Sequence, residues 1–435
     1  MEPPISRVDP ENKGLIRKIG GIFFKSKFSK DVAVLASSSF VAQGINFVFS
    51  IFLTRLYLPE YFGTLSVFLI IVGFIGIVSS GKFDVALVAA KDNKDAKKLF
   101  ALSFIVLFAL VLLCFIIINV IYLFDLNFYK GQPVRSWLYF ILPSLIFLTG
   151  TQVFWMLNVR DKNFKQISYI RIAEALTNGG LQLVLFSLAA NGLLIGTLVS
   201  QFISFIILAW IVKRNFGLSS FIFTFKELKE TFIRYLIFPK INILQAFLDM
   251  FQMGMLVLLL AKYYGPEVTG YYSLCWRVLQ LPMRLLILPV SHVFFAEASE
   301  RFRNSGKIYS LVLNTIKKSF LMLVSIPIIL LLIGPWLFSI VFGGNWREAG
   351  VYAQILSIWI FFDLLKAPIV QVASILGKQK QLLIIGIINS ILFMIVIFIG
   401  SKLNLDIHNT LWLVSFSQAF MCIVMILFIL KISRK

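Results

Sequence analysis

Two arginines seven residues apart, Arg277 and Arg284, stand inside an apolar stretch where a permanent charge is costly. On a helix that spacing puts both on one face, and Pro282 and Pro289 interrupt the same stretch. Two guanidinium groups on one stripe of a broken helix suit a wet, electropositive cavity, where each can grip phosphate oxygens through paired hydrogen bonds. Asp249 complicates this reading. It lies 17 residues before Pro266 and Arg284 lies 18 after, so an antiparallel hairpin sets them at similar depth. A structural ion pair closing that hairpin is therefore the alternative to a ligand site. Asp363 and Lys366, three apart, are spaced to neutralise each other on one helix face, a transport role being the alternative. Gln43 with Asn46, and Asn242 with Gln245, occupy corresponding early positions of two apolar runs. They either line a central cavity or hydrogen-bond between helices. The candidate contacts for an anionic ligand are Arg277, Arg284, Lys240, Gln43, Asn46 and Gln245, with Asp249, Asp363 and Lys366 as an ion-coupling or ion-pair set. Lys82 and Asp84 end the second apolar run, where snorkelling to the interface is the expected behaviour.

Several chemistries are disfavoured by count. Cys114, Cys275 and Cys422 each fall inside an apolar run without a nearby partner, which suggests neither a disulfide framework nor a zinc site. Only His292 and His408 are present, so a metal site or a Ser-His-Asp hydrolase is not expected. No Gly-x-x-x-x-Gly-Lys-Ser/Thr loop occurs, hence no sign of ATP hydrolysis by this chain. No cofactor is expected beyond H+ or Na+ coupling at Asp249 or Asp363.

The elements that must position these groups are membrane helices. The chain of 435 residues is 59% hydrophobic, its mean hydropathy is +0.90, and apolar runs of about 20 residues, each long enough to span a bilayer, recur to the C-terminus. The pattern predicts an all-α polytopic membrane protein of twelve helices, near 32–54, 63–81, 99–123, 136–158, 168–189, 192–212, 234–261, 270–295, 316–340, 350–375, 380–400 and 409–430. The fifth and sixth are divided only at Ala190-Asn191; were these one helix, every later loop would change side. With the N-terminus inside, inner segments hold 32 of the 41 Lys and Arg residues. The outer loops hold six, Arg55, Lys130, Arg135, Lys262, Arg347 and Lys402, and the spans hold Arg277, Arg284 and Lys366. That asymmetry supports both termini in the cytoplasm. It also accounts for the net charge of +21 through topology and anionic lipid, without nucleic acid.

Arg55-Leu-Tyr-Leu-Pro-Glu-Tyr-Phe-Gly63 and Lys262-Tyr-Tyr-Gly-Pro-Glu-Val-Thr-Gly270 share the form basic-x-Tyr-x-Pro-Glu-x-x-Gly at an offset of 207 residues, about half the chain. The economical reading is a parallel duplication of a six-helix unit. The expected organisation is a basic interfacial segment 1–31, a first lobe 32–213, a cytoplasmic linker 214–233 and a second lobe 234–435. Residues 15–28 mix basic and large apolar side chains as a surface-lying amphipathic stretch does.

The stretch Ser80-Gly-Lys-Phe-Asp-Val-Ala-Leu-Val-Ala-Ala-Lys-Asp-Asn-Lys-Asp-Ala-Lys-Lys-Leu99 resembles the segment after the second helix of Wzx-type polysaccharide flippases. Tyr264 to Pro282, Val293-Phe-Phe-Ala-Glu-Ala-Ser299 and Gly334 to Gly350 resemble that family's later motifs, in the same order. The resemblance implies the two-lobed fold shared by multidrug and oligosaccharidyl-lipid exporters, with six helices per lobe around a central cavity. It also implies a polyprenyl-diphosphate-linked oligosaccharide as cargo, flipped across the cytoplasmic membrane for surface polysaccharide synthesis, with polymerases or glycosyltransferases as partners. Arg277 alone of the candidate residues falls inside a matched motif. A drug or metabolite exporter of the same fold is one rival, and the buried arginines count against it. A membrane-embedded polymerase or acyltransferase is another, and the short outer loops count against that.

Overall fold

The computed structural model describes residues 27–124, 133–216, 223–403 and 405–434. The basic segment before residue 27 lies outside the described residues, as do the side chains of Gln245 and Asp249. The first half comprises α1 (Lys27–Leu56), α2 (Pro59–Ser79), a short α3 (Phe83–Ala89), α4 (Asn93–Leu123), a 3-10 turn running into α5 (Ile141–Arg160), α6 (Phe164–Val184) and α7 (Ala190–Phe216). A connecting helix α8 (Phe225–Arg234) leads to α9 (Ile237–Tyr263). Next comes one interrupted traverse made of α10 (Gly265–Leu279), a π turn (Met283–Ile287) and α11 (Leu288–Ser305). Another is broken at Val324 into α12 (Tyr309–Leu323) and α13 (Ser325–Phe342). The chain ends with α14 (Arg347–Lys366), a short α15 (Val372–Ile375), α16 (Gln379–Lys402) and α17 (Ile407–Ser433). No strand occurs among the described residues.

These helices make twelve traverses in two six-helix lobes. Among the described residues, nine segments are apolar and long enough to cross a bilayer on those grounds alone. The other three are α6, α9 and the interrupted α10–α11, which carry Arg171 and Glu174, Lys240, and Arg277 and Arg284 respectively. Polarity is thus concentrated where lipid would penalise it unless a cavity or protein covers it.

The break between the fifth and sixth traverses falls slightly earlier than Ala190-Asn191, in a 3-10 turn over Phe186–Leu188 that ends at Ala189 with φ +51°. The ninth traverse starts at Tyr309, earlier than the expected residue 316, so Lys317 and Lys318 lie in the middle of α12 and not at its entry. The tenth helix ends at Lys366, short of residue 375. Arg171 and Lys240, counted above with the inner loops, sit inside α6 and α9.

The two copies of the Pro-Glu motif meet in space. Each proline stands in the first turn of its helix, where the missing N–H costs nothing, and each glutamate follows it into the positive end of the helix dipole. Gly63 of α2 lies on Pro266 and Gly270 of α10 lies on Pro59; a Cβ at either glycine would fall 1.8 Å from the opposing carbonyl oxygen. The tyrosines that precede the two prolines brace each motif inside its own half. Tyr57 donates to the Gln182 carbonyl at 2.6 Å, and Tyr264 bonds Thr410 at 2.8 Å. A second junction lies at the same end. Trp346 Nε1 donates to the Thr54 carbonyl at 2.6 Å, Arg55 donates to the Ile340 carbonyl at 3.1 Å, and Phe62 packs edge-on against Trp346 at 5.1 Å. The lobes are therefore sealed against each other at the Pro-Glu end.

At the opposite, basic end α8 is strapped to the first lobe. Arg234 pairs with Asp95 at 2.8 Å and Lys94 with Glu227 at 2.9 Å. Thr224 and Glu227 cap α8 reciprocally, satisfying two of its free N–H groups.

Candidate functional site

The eighth traverse positions both arginines. Pro282 removes a backbone donor and the chain widens into the π turn that carries Arg284. Such a turn re-aims a side chain that a regular helix would point elsewhere. Arg284 Nη1 donates to Gln43 Oε1 of α1 at 3.2 Å, a contact between the two lobes. Arg277, about 10 Å further toward the Pro-Glu end by helix rise, is exposed although its neighbours Leu274, Cys275 and Leu279 are buried. Neither arginine has a carboxylate within ion-pair distance among the described residues. Two exposed cations on one interrupted helix hold a positive field suited to a multiply charged anion.

The remaining candidates divide by place. Asn46 lies one turn beyond Gln43 on the same face of α1 and is half-buried. Lys240 is exposed near the start of α9, with half-buried Asn242 close by. Asp363 Oδ1 and Lys366 Nζ are 2.6 Å apart, and Cys422 Sγ of α17 contacts the same oxygen at 3.9 Å. That pair sits in α14, away from Gln43 and Arg284, and each partner neutralises the other.

Two further polar clusters were not read from sequence as sites. In the first, Asp84 is fully buried, 0% exposed, and accepts from Ser80 Oγ at 2.7 Å and Gln152 Nε2 at 2.8 Å. It does not snorkel: the chain turns at Gly81 and Lys82, both at positive φ, and folds α3 back against α5. Arg160 completes the fold by donating to the Leu87 and Ala90 carbonyls at the end of α3. In the second, Arg171 stacks over the Trp155 ring at 4.5 Å and donates to Ser39 Oγ. Glu174 lines the same small cavity with Thr151. The signal for it was present in sequence as a charged i,i+3 pair, but its closeness to a basic loop made Arg171 read as interfacial.

A family profile described as "Polysaccharide biosynthesis protein" matches residues 52–351. Among solved structures, the chain is similar to the lipid II flippase MurJ in an inward closed conformation, with TM-score 0.69, 14% identity, and 92% of this chain and 90% of that one covered. It is similar to an inward-facing multidrug resistance MATE family transporter of the MOP superfamily, with TM-score 0.60, 17% identity and coverage of 90% and 95%. A MOP superfamily transporter from Pyrococcus furiosus also matches, with TM-score 0.50, 16% identity and coverage of 93% and 95%. No curated protein sequence matches the chain.

Proposed function

The chain belongs to the polysaccharide biosynthesis protein family, and from that premise we propose that it flips a polyprenyl-diphosphate-linked oligosaccharide from the inner to the outer leaflet of the cytoplasmic membrane. The observation that carries the reading is the exposed pair Arg277 and Arg284 on an interrupted helix, without a carboxylate in ion-pair distance among the described residues, with Arg284 bonded to Gln43 across the lobe boundary. A diphosphate and its sugar hydroxyls cannot cross hydrocarbon without a large desolvation cost. A cavity open to the side takes the headgroup while the polyprenyl tail stays in lipid. The arginines offset the diphosphate charge, and Gln43, Asn46, Lys240 and Gln245 supply further polar contacts.

Translocation is by alternating access. The contacts at Pro59, Gly63, Pro266 and Gly270 close the outer end in this state and must part for release. Protons or Na+ would drive the change through a carboxylate in the membrane. Asp363 is held by Lys366, whereas Glu174, which shares a small cavity with Arg171, makes no salt bridge within 4 Å among the described residues, which makes Glu174 the better-placed acid. The chain acts as a transporter in the inner membrane with both termini cytoplasmic, supplying a polymerase on the far side.

Deleting the gene tests the reading. Lipid-linked oligosaccharide should accumulate on the inner leaflet while surface polymer is lost, and Arg277→Gln or Arg284→Gln at wild-type abundance should reproduce the defect. Normal glycolipid distribution with altered sensitivity to cationic drugs would refute it in favour of a multidrug exporter. Glycolipid reaching the outer face without being polymerised would point to an enzyme.

A further inference from the structure

A pocket of about 170 Å³ opens beside α2 and α5, lined by Val72, Gly73, Gly76, Lys82, Thr149 and Gln152 among others. By the same measure one water needs roughly 10–15 Å³, so the space suits on the order of ten heavy atoms, close to one hexose. Gly76 leaves its floor bare, with nothing within 4 Å of where a Cβ would be. Met250 of α9 reaches toward Gly73 from the second lobe, so this pocket borders the space between the lobes.

Its depth matches the arginines. From Pro59 to Ile77 and from Pro266 to Arg284 are the same 18 residues, about 27 Å of helix rise in each case. Because α2 and α10 cross at those prolines, Ile77, a pocket-lining residue, stands level with Arg284.

The chemistry of the walls is specific. Gln152 commits its Nε2 to the buried Asp84 carboxylate, which Ser80 also holds, so the carboxamide oxygen is the group left to accept a bond. Thr149 shares a hydrogen bond with Ser79 at 2.7 Å. Val72, Ile77, Leu145 and Leu148 provide an apolar wall, the surface that the C–H face of a pyranose prefers. Lys82 adds a cation with no carboxylate in ion-pair distance among the described residues.

The geometry points to a saccharide subsite in which Lys82 and Gln152 bind a hexose bearing a carboxylate, next to the diphosphate held by Arg277 and Arg284. It rests on the flippase reading for the diphosphate and extends it to the identity of the first sugar. Lys82 selects the acid, Gln152 accepts a sugar hydroxyl, and Asp84 is a positioning residue that fixes Gln152.

The test is equilibrium binding by the full chain in nanodiscs to three probes: polyprenyl diphosphate alone, and the same lipid carrying glucuronic acid or glucose. Wild type should prefer the glucuronic acid probe over the glucose probe by roughly tenfold or more, the effect of one charge-assisted bond. Lys82→Gln should erase that preference and leave the sugar-free probe within twofold, while Lys82→Arg retains it. Gln152→Leu should weaken both sugar probes alike. Equal wild-type affinity for the two sugars, or an equal loss for all three probes in Lys82→Gln, overturns the subsite and leaves the flippase intact. Failure of wild type to bind any probe overturns both.

Discussion

Replacing Gly270 by alanine should open the sealed end of the molecule. The new Cβ would stand 1.8 Å from the Pro59 carbonyl oxygen, and ordinary contact begins at 3.4 Å, so the helices must separate by about 1.6 Å. The obstacle is backbone on both sides, which no rotamer change can relieve. Overpacking of this kind costs about 1–3 kcal/mol, which tilts the balance between closed and open states by about 5- to 150-fold. Gly63→Ala meets the Pro266 carbonyl oxygen at the same 1.8 Å. One separation relieves both clashes, so the double variant should cost little more than either single one, a coupling that independent sites would not show. The assay is alkylation of a cysteine placed at Phe62, which is 4% exposed against Trp346, by an impermeant maleimide added to intact cells. Labelling should be slow in the parent and at least fivefold faster in each glycine variant. Unchanged labelling, or strictly additive effects in the double variant, would refute the account of this crossing as the seal.

Other perturbations have equally definite outcomes. Asp84→Leu strands the buried Gln152 Nε2 and Ser80 Oγ and should lower stability by about 1–3 kcal/mol, read as a fall in the detergent melting temperature. Lys366→Met should impair folding because it strands Asp363, while adding Asp363→Leu should restore both folding and transport if the pair is structural; a folded but inactive double variant would mark a coupling role. Glu227 is held down to about 2 by its hydrogen bond to Lys94 and by the Thr224 cap. A carboxylate whose folded value is depressed stabilises fully above its unfolded value near 4.5 and loses that contribution as pH falls toward 2. Hydrogen-exchange protection factors in α8, corrected for the intrinsic pH dependence of exchange, should therefore fall across that window, and Glu227→Gln should remove that fall.

The twelve traverses were legible because hydropathy and Lys/Arg asymmetry act over whole segments and tolerate errors of several residues at each end. The duplication was legible because Pro, Glu and Gly mark the same turn twice. Its contact was not, since nothing in a nine-residue motif states that its glycine will face the other copy. Asp84 was misjudged for a related reason: its burial depends on Gln152, 68 residues away, and on a left-handed turn at Gly81-Lys82 that sequence alone presents as a helix end. Arg277 and Arg284 could be found because apolar neighbours make a charge conspicuous. Arg171 and Glu174 were hidden by a more polar helix, in which Gln166, Thr177 and Asn178 dilute the contrast.

The repeat also has a history written in its differences. Counting from the paired prolines, Ile70 and Ile77 occupy the places of Arg277 and Arg284. The two halves share the crossing glycines, and one carries aliphatic bulk where the other carries charge. The proposed cargo, with one ionic end and one saccharide end, has no twofold symmetry, and a cavity built from identical halves would offer it only averaged surroundings. Divergence lets one half specialise in the constant part of the cargo and the other in its variable part. Related chains that export different polymers should therefore vary most along α2 and α5 and least around the two arginines.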